Sequence, residues 1–145
     1  MAQLITHSEC VDSWLARARP ELTPAREIDL YDRAFAAIWS HAHRTLGEIT
    51  LTAIVDRVLT RSLKRYPLLA KVRVIDASLS LAPLHGEAAH HPHNGEALRF
   101  VLVELLRVLG SVTAEVLTPT LHQTLADVTL APAEAVTPSD KATTR

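Results

Sequence analysis

The chain has 145 residues, of which 48% are apolar and 21% charged, enough for one domain with a sizeable core. A formal net charge of −1 excludes a globally basic nucleic-acid binder and a self-repelling disordered chain. Aromatics at 4% and only 4 glycines are too few for the frequent tight turns of a β-sandwich, so an all-α fold is expected.

The single cysteine, Cys10, permits neither an internal disulfide nor a cysteine-built zinc site. Beside Val11, Trp14 and Leu15 it reads as a small buried hydrophobe. The greasiest stretch, Leu98 to Leu109, is broken by Arg99, Glu104 and Arg107, so no transmembrane segment is expected. The opening Met-Ala-Gln-Leu-Ile-Thr lacks the basic-then-apolar order of a signal peptide, and a cytoplasmic location is the expectation.

Proline and glycine divide the rest into elements. Thr6-His7-Ser8-Glu9 reads as a capping box that opens a short helix over Ser8–Arg19, with Val11, Trp14, Leu15 and Ala18 on one face. Thr23-Pro24 starts a second helix with a capping hydroxyl and a first-turn proline. Its apolar face runs through Ile28, Tyr31, Phe35, Ile38, Trp39, Ala42 and Leu46. Leu46-Gly47-Glu48-Ile49-Thr50 then recurs as Leu109-Gly110-Ser111-Val112-Thr113. Each copy is expected to be a helix–helix corner. Gly47 and Gly110 would take left-handed conformations, Thr50 and Thr113 would cap the next helix, and Ile49–Ile54 and Val112–Leu117 would form hydrophobic staples. The recurrence would make the two corners a structural repeat.

A third helix is predicted over Leu51–Tyr66, ended by Pro67. Residues 71–81 alternate in the strand period, which allows a small β-hairpin around Asp76-Ala77. Residues 84–94 read as a loop, Gly95–Leu109 as a fourth helix, and Thr113 to about Val128 as a fifth helix kinked or restarted at Pro119. The expected architecture is a bundle of four main helices, built from two helical hairpins, plus the short N-terminal helix. It forms a single domain over 1–130, followed by a disordered tail over 131–145.

Four groups of residues invite a functional reading. His85, His90, His91 and His93 form the densest histidine cluster, and imidazoles in a loop suit a divalent transition metal. Arg57, Arg61, Lys64 and Arg65 fall on one side of the third helix, with no acidic residue between 57 and 73. That side is a candidate docking surface for an acidic partner, whereas nucleic acid is disfavoured because no interleaved aromatics accompany the charge. Phe100 and Val103 lie opposite the main leucine stripe of the fourth helix, among Glu104 and Arg107. Either the 71–81 segment covers them, or a second copy does, each Arg107 reaching the partner's Glu104 across a two-fold axis.

The fourth group is Ser40-His41-Ala42-His43-Arg44, followed by Gly47. It resembles the phosphoacceptor helix of histidine phosphotransfer domains, in which lysine and glycine follow the histidine at the third and fourth positions. The resemblance implies His43 as phosphoacceptor, although Leu46 stands where the lysine would be. His122 reads as a surface residue or a hydrogen-bonded boundary residue of the fifth helix. No phosphate-binding glycine loop, nucleophile elbow or dinucleotide fingerprint is present. The expectation is therefore a non-enzymatic interaction or regulatory module, a dimerising sensor or adaptor domain of bacterial signalling. A metal- or small-ligand-binding bundle using the 85–93 loop and a histidine phosphotransfer protein are the alternatives.

Overall fold

The computed structural model describes residues 6–18, 23–74, 79–81 and 94–129 of the chain. The fold is all-α. Five helices pack as a bundle: α1 (His7–Ala18), α2 (Pro24–Leu46), α3 (Glu48–Arg65), α4 (Asn94–Val112) and α5 (Thr118–Ala126). A 3-10 turn over Pro67–Lys71 follows α3, and two-residue strands β1 (Arg73–Val74) and β2 (Leu79–Ser80) pair antiparallel, Arg73 opposite Ser80 and Val74 opposite Leu79. The predicted hairpin is therefore reduced to a minimal ladder on the helices, and its connection at 75–78 lies outside the described residues. Of the predicted 84–94 loop, residues 84–93 lie outside them too, as does the 131–145 tail, while Asn94 is not loop but the first residue of α4.

The helix starts obey their capping chemistry. The Thr6 backbone N–H donates to Glu9 Oε1 at 3.0 Å and the Glu9 N–H donates to Thr6 Oγ1 at 3.1 Å, the reciprocal pair of a capping box. Arg26 N–H donates to Thr23 Oγ1 at 3.2 Å, which caps α2, with proline in its first turn.

The core is organised around α4. Ala97, Leu98, Val101, Leu102, Leu105, Leu106 and Leu109 are all buried, over about half of the helix circumference. α3 runs antiparallel to α4, with Arg61 beside Glu104 and Tyr66 beside Phe100. Because α2 and α3 are antiparallel neighbours, α2 runs parallel to α4, and the Tyr31 hydroxyl reaches the Gly95 carbonyl at 3.5 Å. α1 lies antiparallel to α4, tied by a two-pronged Arg99–Asp12 pair at 2.7 and 3.0 Å. α5 closes the bundle against α1 and α2, and the Trp14 indole N–H donates to the Val128 carbonyl at 3.0 Å.

The two corners are built differently, so the five-residue recurrence is not a structural repeat. At the first corner Gly47 has φ +80°, its N–H donates to the His43 carbonyl, and α3 begins at once with Glu48. Thr50 thus sits exposed inside the first turn of α3 rather than at its cap. Ile49, expected in a staple, is 88% exposed. At the second corner Gly110 is helical, and α4 continues to Val112. The left-handed positions are Ala114 (φ 53°) and Glu115 (φ 65°). Glu115 N–H bonds the Gly110 carbonyl at 2.6 Å and Ala114 N–H bonds the Ser111 carbonyl at 3.2 Å, the two bonds of a Schellman motif with alanine where glycine is usual.

Glycine is needed at 110 for space instead. A β-carbon there would lie 2.6 Å from Glu115 Oε1 and 2.7 Å from Thr118 Oγ1. Thr113 does not cap α5. Its hydroxyl donates to the Leu109 carbonyl at 2.9 Å and accepts from Leu117 N–H at 3.3 Å, so it fastens the turn. α5 begins at Thr118, with Pro119 in its first turn, where a missing N–H leaves no orphan donor, so the proline restarts the helix and does not kink it.

These corners give opposite expectations for two small substitutions. Gly47→Ala forces a β-carbon into a left-handed backbone and should cost about 1 kcal/mol. Ala114→Gly relieves the same strain and should raise stability by about 0.5 kcal/mol, the flexibility glycine adds to the unfolded chain taking back part of the gain. Chemical denaturation of both variants checks the opposite signs.

Candidate functional site

Antiparallel packing of α3 on α4 brings two of the candidate groups onto one face. From α3 come Arg57, Arg61, Lys64 and Arg65, all exposed. From α4 come Phe100, Val103 and Glu104, each half-buried, and exposed Arg107. Helical spacing alone suggests two separate surfaces, but the chain reversal after Arg65 places them side by side.

The charge on this face is lopsided. Glu104 is the acid at its centre. The Glu104 side chain is 14% exposed, held between Arg61 Nη1 at 3.7 Å and the Arg107 guanidinium of its own helix. Arg57 and Lys64 make no ion pair among the described residues. A recessed carboxylate between two cations, with Arg57, Lys64 and Arg65 exposed on α3 beside it, leaves a positive surface outermost, and charges so exposed contribute little to folding.

Aromatic rings form the floor at one end. The Tyr66 and Phe100 rings lie with centroids 5.7 Å apart, and the Arg65 guanidinium stands 5.3 Å from the Phe100 centroid and 5.8 Å from that of Tyr66. The Tyr66 hydroxyl donates to Glu96 Oε2 at 3.2 Å, which fixes the ring. Within the chain, Tyr66 and Arg65 lie against Phe100 and leave it half-buried. Its remaining exposed edge, with Val103, is an apolar spot within a cationic rim.

The other candidates are not drawn into this face. His43 is exposed near the C-terminal end of α2, where its backbone carbonyl accepts the Gly47 N–H, and His41 is half-buried two residues before it. His85, His90, His91 and His93 lie outside the described residues. Among the described residues no group of three or more histidine, cysteine, aspartate or glutamate side chains is placed to hold a metal ion. Cys10 is half-buried against the core, and burial pushes its thiol above the ordinary value, with Arg17 opposing.

One arrangement escaped the sequence reading. His122 turns toward His7, its Nε2 lying 2.9 Å from His7 Nδ1, while Glu115 Oε1 lies 3.9 Å from His7 Nε2. No local spacing could have shown it, because the two histidines are 115 residues apart in the chain.

Fold and face together define an all-α bundle with one cationic, partly aromatic helix–helix surface. No protein-family model, no curated protein and no solved structure matches the chain. No helix of the described residues is long and apolar enough to cross a membrane.

The stacked cation should be measurable. In a double-mutant cycle of Arg65→Met and Phe100→Leu, the coupling energy should be about 0.5 kcal/mol, the usual size for an exposed cation–π contact. Additive effects from urea denaturation would show that the guanidinium is not held by the ring.

Proposed function

We propose that the chain is a non-catalytic interaction module that docks an acidic partner on the α3–α4 face, in the manner of an adaptor. The observation that carries this reading is the composition of that face. Five cations, Arg57, Arg61, Lys64, Arg65 and Arg107, share it with two acids, recessed Glu104 and Glu96 at the aromatic end, beside the half-buried edge of Phe100 and Val103. Such a surface attracts an anionic segment over several ångströms and offers it an apolar anchor on arrival.

The same composition weighs against a second copy on this face. Two like-charged surfaces would meet, and Glu104, the group that would answer the partner's Arg107, is already engaged by Arg61 and Arg107 of its own chain. A lipid headgroup layer would satisfy the charge but would not use a recessed apolar edge of this size as well as a protein side chain does.

The probe is a helical peptide with glutamates on one face and leucine and phenylalanine on the other, compared with its scrambled sequence. The wild-type chain should bind the ordered peptide more tightly, and binding should weaken with salt. Arg57→Glu with Lys64→Glu should reduce affinity at least about tenfold, which corresponds to about 1.4 kcal/mol, while the melting temperature stays within a degree or so because both side chains are exposed. Equal affinity for both peptides, or for wild type and double variant, overturns the reading. Light scattering that gives a dimer dispersed by Phe100→Glu would assign the face to self-association instead.

A further inference from the structure

His7 opens α1 and His122 lies in α5, so the contact between them joins the first helix of the bundle to the last. Their rings are perpendicular, with centroids 5.0 Å apart, and the facing nitrogens are at hydrogen-bond distance, 2.9 Å. We propose that this imidazole pair is an acid-opened latch: it holds α1 on α5 while one facing nitrogen keeps its lone pair, and releases α1 when both carry protons.

The proton positions are set by the neighbours. Glu115, 3.9 Å from His7 Nε2, favours a proton there, which leaves His7 Nδ1 as acceptor for the N–H of His122 Nε2. A first proton from solvent goes to His122 Nδ1. It leaves the N–H···N bond in place and makes it charge-assisted. A second proton can go only to His7 Nδ1. Two N–H groups then face each other at 2.9 Å between two cationic rings, with no acceptor between them, and the contact is lost.

The surrounding groups set the direction. From the α4–α5 turn Glu115 favours the charged imidazoles, and from α4 Arg107 disfavours that of His7. Burial outweighs both and holds the two rings below their ordinary range, His122 being lowered further by His7 itself. The undocked helix therefore binds protons more readily than the docked one. The pair's contribution to docking is fully present above the ordinary imidazole value of about 6.5 and is lost as pH falls below it.

α1 carries its own reporter. Trp14 is buried, and its indole N–H donates to the Val128 carbonyl at 3.0 Å. In a Trp39→Phe background Trp14 is the sole tryptophan, since the chain has 2. On reversible acidification from about pH 8 to about pH 5, its emission should shift to the red with a midpoint below the ordinary imidazole value, while far-ultraviolet circular dichroism keeps most of its helical signal. Adding His122→Gln, which can still bond His7 but does not titrate, should abolish the shift. Amide exchange in the unsubstituted chain provides a second readout. Corrected for intrinsic rates, protection over 7–18 should fall about tenfold or more across the same range while that of α3 holds. Emission and α1 protection that do not respond to pH, or a His122→Gln variant that responds as wild type does, would overturn the latch.

Discussion

α4 has to be covered on nearly every side, and the rest of the bundle is arranged to do it. Its buried leucines and valines would otherwise present one of the largest apolar surfaces in the chain to water, at roughly 25 cal/mol for each Å² exposed. α2, α3, α1 and α5 each take a portion, and the strip that holds Glu104 and Arg107 is left at the edge of α3, Glu104 recessed and Arg107 exposed. Because α3 must lie antiparallel along that strip to bury Val55, Val58 and Ser62, its cationic side comes to rest beside Phe100. The candidate docking face is thus a by-product of covering α4. Its charge could vary without loss of the fold, whereas its place in the bundle could not.

How much of this was legible depended on the range of the interaction concerned. The capping box at Thr6–Glu9 and the Thr23-Pro24 start of α2 involve side chains three residues apart, and both formed where the sequence placed them. The leucine stripe of α4 was legible for the same reason, since periodicity is a local property that burial then enforces. The corners were harder. Gly47 and Gly110 sit in matching pentapeptides, yet one ends its helix and the other remains inside it. The Thr113 hydroxyl and the close approach of Glu115 and Thr118 let α4 run on past its glycine. Which glycine stops a helix is decided by the groups that gather around it in space, and a five-residue match does not contain that information.

The candidate site was legible in its parts and not in its assembly. The cations of α3 and the second apolar side of α4 could each be read from spacing, but their adjacency required knowing that α3 packs on α4. The contact of His7 with His122 lay further out of reach. His122 has no partner at any local spacing, and its neighbours are fixed only when the two ends of the fold meet.

That meeting has a consequence for the order in which the molecule assembles. The α2–α3 corner closes over a single residue, whereas the contacts of α1 with α5 span 115 residues at the histidines and 114 at Trp14 and Val128. Joining points so far apart carries a loop-closure cost of about 4 kcal/mol in the absence of other contacts, and this cost falls away once α2, α3 and α4 are in place. The hairpin of α2 and α3 can therefore form early, from local contacts, and α1 must wait for α5 to leave the ribosome before its Trp14 finds Val128. Until α4 is made, α1 is an amphipathic segment of 12 residues with no surface to lie on, and so short a helix is marginal alone. Of the five helices, the earliest made is seated only when α4 and α5 have followed it.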